Sequence, residues 1–421
     1  MKEQKRGLNI IGYTEGEFGL GEAVRLNIEA AKTHQIPLNL INFEKLKKYP
    51  KYTYNFEYDV SLVQISLRDI DTFFRVMDPK LFKARYTILF LIWESEYLPP
   101  ELSENLSLFN EIWTASSYCK ELFKKVYANP ILIVPHPVEI TLKSIYDQKA
   151  KVYFDKQKFS FLFIFSYHSS VERKNPFFLV EAFNKAFKTN ENVELIIKTV
   201  GEERHRKESN KLHQQVAASK NIKIFNVDLD KNAVNHLIND CDCYVSMHHS
   251  EGYGLTLAEA MFFGKPTIAT NYSGNKQFMN HLNSFLIDFD IAPIENPDTN
   301  FSSQTIWANP NLENAVETLR DVYFNSDLRD TKAMEAKTYI KNELSFHAVG
   351  SIIKNQVDFL FDNFEDLITN QKAYLINQLQ YTKAENAYLK RQIRRMKKNL
   401  LIRFILFLKN KTRIIKNRLK K

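Results

Sequence analysis

The stretch HHSEGYGLTLAEAMFFGKPTIATNYSGN, residues 248–275, sets two carboxylates, Glu251 and Glu259, around a turn that holds Gly252 and Gly254 and no other charge. The chemistry that suits such a turn is the capture of an anion. CYVSMHHS reads as a strand and GLTLAEAM as the start of a helix, whose first amide N–H groups are unpaired and partly positive, so they favour phosphate. Gly252 and Gly254 let the main chain come close to a ligand. Glu251 would reach that ligand from the turn, and Glu259, about one turn into the helix, would accept two hydroxyls of a ribose. A diphosphate between them, with a sugar at one end and a ribose at the other, accounts for the spacing. The residues also read as a capped helix with two solvated glutamates, and alone they leave both readings open.

The elements that must hold this turn alternate along the chain. GLNIIGYT, PLNLINFE, DVSLVQIS and YTILFLIWE read as strands. FGLGEAVRLNIEAAKTHQ, SENLSLFNEI and SSYCKELFKKVY read as helices, and PILIVPHPVEI closes the set. After a linker, TLKSIYDQKAKVYFDKQK, the strands FSFLFIFSY, VELIIKTV, NIKIFNVDL, CYVSMHHS and KPTIATN alternate with further helical stretches. One of those helices begins at Pro176, which suits a first helical turn. The expectation is an α/β chain with two doubly wound, Rossmann-like domains, 1–150 and 151–345, and a ligand in the cleft beyond the carboxyl ends of the strands.

SEGYGLTLAEAM resembles the carboxylate–seven–carboxylate signature of glycosyltransferase family 4, the retaining nucleotide-sugar enzymes with the GT-B fold. GLGEAVR, WESEYLPPE, EIWTASSY and VPHPVE resemble the N-domain of its bacterial surface-polysaccharide branch (lipopolysaccharide O-antigen, capsule). FSYHSSVERKNPFFLVEAF, LIIKTVG, YSGNKQFM, NSFLIDFDIAPI and IWANPN resemble its C-domain. The resemblance implies that Glu251 binds hydroxyls of the donor sugar and Glu259 the ribose. It further implies that backbone groups at Gly252, Tyr253, Gly254 and Leu255 hold sugar and diphosphate, and that Gly19 and Gly21 shape the opposite wall. Arg173 or Lys174 would offset the diphosphate charge as the leaving group departs. Many relatives carry the phosphate arginine about five residues before the lysine, where this chain has Ser169, so the division of labour between Arg173 and Lys174 is open. The implied reaction is hexosyl transfer with retention, without metal or cofactor, from GDP-mannose or a UDP-hexose to a glycan or lipid-linked glycan. Mannose is the donor sugar favoured. A catalytically silent, membrane-bound scaffold and a GT-B epimerase are the competing readings.

Placed cations and helix amides are what such a reaction needs, because charge builds on the departing diphosphate. A two-carboxylate hydrolase would instead set its acid and nucleophile across a glycosidic bond, which residues on one turn cannot do. Trp93 and Glu94, after an apolar strand, are candidate acceptor contacts, with core packing the default for the tryptophan. Asp240–Asp242 matches a metal-binding D-x-D but falls at a helix-to-strand junction, where helix ending is the better reading. His248 and His249 could touch ligand or be satisfied polar residues, and His136 reads as hinge packing.

Charge is segregated. Residues 390–421 hold fourteen of the 58 Lys and Arg and no acid, which leaves 44 basic side chains against 49 acidic in the rest. A mildly acidic body argues against nucleic acid as a partner. Three cysteines make neither a disulfide framework nor a metal set, no apolar run is long enough for a bilayer, and the opening residues do not read as a secretory signal. A cytoplasmic enzyme, peripheral on the inner face of the cell membrane, is expected. After a crossover helix (346–366), Leu375, Leu379, Thr382, Asn386, Leu389, Ile393, Met396 and Leu400 step by four and three, so 367–400 is expected to form a coiled coil that makes a homo-oligomer. Residues 401–421 are expected to be a basic amphipathic helix on an anionic membrane surface.

Overall fold

The computed structural model describes residues 5–16, 18–49, 52–82, 85–143, 153–189, 191–295, 301–370, 375–396 and 398. The 401–421 helix and Leu400 of the heptad stripe therefore lie outside the described residues.

Two parallel six-stranded sheets carry the molecule. The first joins β1 (Leu8–Gly12), β2 (Leu38–Asn42), β3 (Val60–Gln64), β4 (Tyr86–Leu91), β5 (Glu111–Thr114) and β6 (Ile131–Ile133) in the order β2-β1-β3-β4-β5-β6. The second joins β7 (Phe159–Ile164), β8 (Val193–Thr199), β9 (Ile222–Asn226), β10 (Cys243–Ser246), β11 (Thr267–Thr270) and β12 (Phe285–Ile287) in the order β12-β11-β10-β7-β8-β9. Helices cover both faces, so strands such as Tyr86–Leu91 are buried at every position and read as unbroken apolar runs. In each sheet the direction of strand addition reverses once, between β1 and β3 and between β7 and β10. The loops leaving those strands open a crevice at their carboxyl ends.

Sequence and structure differ in places. SENLSLFNEI is not one helix: its middle is a short 3-10 turn at Leu106–Leu108, and its last two residues begin β5. An antiparallel ribbon of β13 (Phe289–Pro293) and β14 (Ile306–Pro310) follows the second sheet. Proline ends and mixed polarity hid it from a period-two search.

The helix Phe346–Asp362 returns to the first domain and packs on the helix Gly19–Thr33. Contact is close at Gly350, where a Cβ would stand 2.3 Å from the Ala30 carbonyl oxygen. Residues 375–396 form a further helix. Its Ile376, Gln380 and Ala384 are buried, Ala384 within the first domain's core. Leu375, Leu379, Leu389, Ile393 and Met396 of the heptad stripe are 50–62% exposed, so this helix lies on the body through a different face. Among the described residues no helix is long and apolar enough to cross a membrane.

Gly350→Val tests the interdomain return. A better helix former gains at most about 1 kcal/mol over glycine, whereas forcing side-chain atoms into a packed contact costs about 1–3 kcal/mol. The variant should melt several degrees below the parent by circular dichroism; an unchanged or higher melting temperature would show that the two helices are not in contact there.

Candidate active site

Arg173, Lys174 and Glu251 are far apart in sequence and meet at the reversal point of the second sheet. β7 runs into the single helical turn Val171–Lys174, and its neighbour β10 runs into the loop that carries Glu251. Hydrogen bonds sew the two loops together. Ser170 Oγ caps the turn by accepting from the Arg173 amide at 3.3 Å. Asn175, left-handed at φ 56°, donates from Nδ2 to the Met247 carbonyl at 3.0 Å, and the His249 amide donates to the Arg173 carbonyl at 2.9 Å.

The outcome is a buried ionic triad. Arg173 Nη1 lies 2.9 Å from Glu251 Oε2, and Lys174 Nζ donates to Glu251 Oε1. Arg173 also donates to the Ser250 carbonyl at 2.7 Å and to Ser169 Oγ at 3.0 Å. The guanidinium thus reaches residue 169, where the family resemblance led us to expect an arginine. Burial alone would push the Glu251 carboxyl up, but Arg173 and Lys174 hold it well below the usual carboxylate range.

Glycine sets the shape of the turn. The Glu251 amide donates to Ser273 Oγ at 2.7 Å and the Gly274 amide to the Glu251 carbonyl at 2.8 Å, so YSGN forms its back wall. A Cβ on Gly274 would come within 2.1 Å of the Gly252 carbonyl, and one on Gly252 within 2.1 Å of Ile92 Cγ2 across the domain boundary. Gly254, at φ 96°, starts the helix Leu255–Phe262, whose first amides have no acceptor within the helix.

These elements surround an interdomain cavity of about 550 Å³. Gly19, Trp93 and Glu94 line its first-domain side; Arg173, Lys174, Glu251, Gly252, Tyr253, Gly254 and Leu255 line the other. Two expected site residues lie elsewhere. Gly21 is not at the cavity: a Cβ there would meet the Gly16 carbonyl at 2.1 Å, so it serves the folding of the loop after β1. Glu259 faces an adjoining cavity of about 250 Å³, with Glu22 and Glu139 opposite. Lys231 donates to its Oε1, while Oε2 is buried without a partner, and burial pushes this carboxyl up despite the lysine. Trp93 is 7% exposed and donates from Nε1 to the Tyr97 carbonyl at 2.9 Å, so it combines core packing with a place on the cavity wall.

Other candidates resolve into structural roles. His248 bridges Ser246 Oγ at 3.1 Å and Asn275 Oδ1 at 3.2 Å, and burial pushes it down to about 4, so it is neutral. His249 stacks on Trp307 at 4.6 Å and bonds the Ala308 carbonyl at 2.6 Å. Asp242 accepts from the amide and hydroxyl of Ser160 at 2.8 and 2.9 Å, which ties the helix end to β7. Sequence reasoning missed three residues. Arg68 enters the cavity from the loop after β3, at the first sheet's reversal point, and strand order alone could have flagged it. Lys231, at a helix start, carries no signal. His136 does pack, between Phe90 at 5.4 Å and Tyr253 at 5.0 Å, yet it also lines the cavity with both ring nitrogens unpartnered.

Residues 149–293 match the family described as Glycosyl transferases group 1. No curated protein matches the chain. Among solved structures, sucrose-phosphate synthase from Thermosynechococcus elongatus is 13% identical, over 85% of this chain and 100% of that one, with a TM-score of 0.62. A glycosyltransferase from Rickettsia africae ESF-5 is 14% identical over 87% and 100%, with a TM-score of 0.56. Anabaena Alr3699/HepE, in complex with UDP and glucose, is 13% identical over 84% and 100%, at 0.54. At such identities these structures establish the fold, which is GT-B. The matched stretch is a glycosyltransferase domain, and the chain is a transferase.

Removing the carboxylate should unbalance the triad. Breaking a buried ion pair by deleting one partner costs about 3–5 kcal/mol, so Glu251→Gln should lower stability by that order at pH 7. A depressed carboxyl contributes stability that is full above its unfolded value and is lost as pH falls through the folded one. The gap between parent and variant in urea melts should therefore narrow on acidification from pH 5 toward pH 2. A gap that stays constant or widens would contradict the pairing.

Proposed function

We propose that this chain, built around a glycosyltransferase group 1 domain, is a retaining enzyme that moves a hexose from a nucleoside diphosphate sugar to a growing bacterial cell-surface glycan. The observation that carries the reading is the meeting of Arg173, Lys174 and Glu251 beside the free amides of the Gly252–Leu255 turn. Buried Arg173 and partly buried Lys174 both pair with the Glu251 carboxylate. An arriving diphosphate takes over the cations, and Glu251 is then released to accept hydroxyls of the donor sugar. The amides at the turn and Lys174 meet the charge that grows on the departing diphosphate, the main source of acceleration in this chemistry. No protein nucleophile is required if phosphate oxygen assists the incoming hydroxyl on the face that the leaving group vacates.

Glu259 is assigned to the ribose. Its unpartnered Oε2 supports that role, with Lys231 holding the other oxygen. The nucleoside then extends from the larger cavity into the adjoining one. The branch resemblance favours GDP-mannose, with UDP-hexoses the competing donors. Trp93 and Glu94 stand on the acceptor side. The exposed stripe Leu375, Leu379, Leu389, Ile393 and Met396 supports self-association, and the basic segment 401–421 is assigned to the inner membrane face.

A screen of nucleoside diphosphate sugars by thermal shift, followed by turnover on a soluble glycan, tests the assignment. A bound donor should raise the melting temperature, and the anomeric configuration of the product, read by NMR, should match the donor. Lys174→Ala should cut kcat by about 10²–10³, the usual loss for one group that stabilises a developing oxyanion. Parent-like turnover in Lys174→Ala, or no stabilisation by any nucleotide, would remove the proposal.

A further inference from the structure

The helix 375–396 does more than cover the first domain. Between it and the helix Ile70–Val76 runs a groove of about 1030 Å³, outside the donor cavity. Its charge is one-sided. Lys47, Arg75, Lys383, Lys390, Arg391 and Arg394 line it, against two acids, Asp71 and Glu104. Two of the cations reach across to other elements: Lys47 lies 3.5 Å from Asp69, and Lys383 donates to Asn105 Oδ1 with its ammonium 5.2 Å over the Phe74 ring. The other four crowd one end. Arg75 turns Nε and Nη2 back to its own helix, at the Asp71 carbonyl and Thr72 Oγ1. Arg391 is disfavoured as a cation by burial, and by Arg395 and Arg75 beside it. Like charges gathered in a concave site focus a field that attracts an anion. Apolar side chains line the groove too: Phe74 and Leu108, both buried, with the more exposed Val76 and Leu379.

We propose that this groove binds a phosphate or diphosphate group carried on an apolar chain, the headgroup of an amphiphilic acceptor. Arginine forks suit phosphate oxygens, and the apolar side chains suit the first carbons of the chain. Position supports an acceptor. Arg68 lines the donor cavity and Arg75 the groove, and a helical segment of that length spans on the order of 10 Å. A glycan anchored by its phosphate can thus direct its free end toward Glu94 and Glu251. The ligand's place as acceptor rests on the glycosyl-transfer reading; the affinity of the groove does not.

The experiment uses the full chain, with inorganic pyrophosphate and farnesyl diphosphate as probes, titrated calorimetrically with the donor cavity saturated by a nucleoside diphosphate. Farnesyl diphosphate should bind at least about tenfold more tightly than pyrophosphate, because only it covers the apolar side chains. The double variant Arg75→Glu/Arg391→Glu should weaken that binding by more than about tenfold, while Arg391→Lys, which keeps the charge but loses the fork, should weaken it less than the double variant does. Nucleoside diphosphate affinity, measured in parallel, should not change in the double variant, which also certifies its fold. Equal farnesyl diphosphate affinity in parent and double variant overturns the groove. Equal affinity for the two probes overturns the amphiphile and leaves a free-phosphate site. Loss of nucleotide binding in the parent itself strikes the donor reading and leaves the groove standing.

Discussion

Charge burial is the constraint from which the rest of this structure follows. Arg173 is 4% exposed and Glu251 7%. The Born cost of taking such ions out of water is repaid only by close partners with good geometry. The second sheet provides that geometry at its single reversal of strand order, where the loops after β7 and β10 must pass side by side. Two cations against one carboxylate leave the triad one positive charge in excess, which suits the anionic ligand of the proposed function.

The second theme is the absence of side chains. Gly274 lets the back wall touch the turn, and Gly252 lets the turn touch Ile92 of the other domain. Both contacts are too tight for any Cβ, so the cavity's shape is fixed by backbone against backbone and backbone against one isoleucine. Around them Phe90, Val134, Tyr253, Leu257 and Phe278 belong to one continuous core that crosses the domain boundary. The cleft is therefore a gap left within a shared interior rather than a space between two independent bodies.

Much of this was legible in the sequence, for reasons that are local. Parallel strands covered on both faces are apolar throughout, so TILFL and LVQI announced themselves, and the charge-free span between Glu251 and Glu259 marked the turn. The misses are non-local. Glu259 faces a cavity of its own, with Lys231 on one carboxylate oxygen, and nothing in LTLAEAM reports that. The heptad stripe of 375–396 was visible, but Ile376, Gln380 and Ala384 bind the helix to the body through another face, and periodicity cannot say which of two faces meets a neighbour. The pairing of Arg173 with Ser169 follows a loop path that spacing alone does not specify.

The domains meet in this cleft largely through uncharged groups. Ser116 Oγ donates to the Gly252 carbonyl at 3.0 Å, Tyr253 Oη to the His136 carbonyl at 2.9 Å, and the Ser117 amide to Gln277 Oε1 at 2.8 Å. Ions in solution screen formal charges far more than they weaken neutral hydrogen bonds. The contacts that join the domains around the cleft should therefore respond less to salinity than to temperature and to hydrogen-bonding cosolvents.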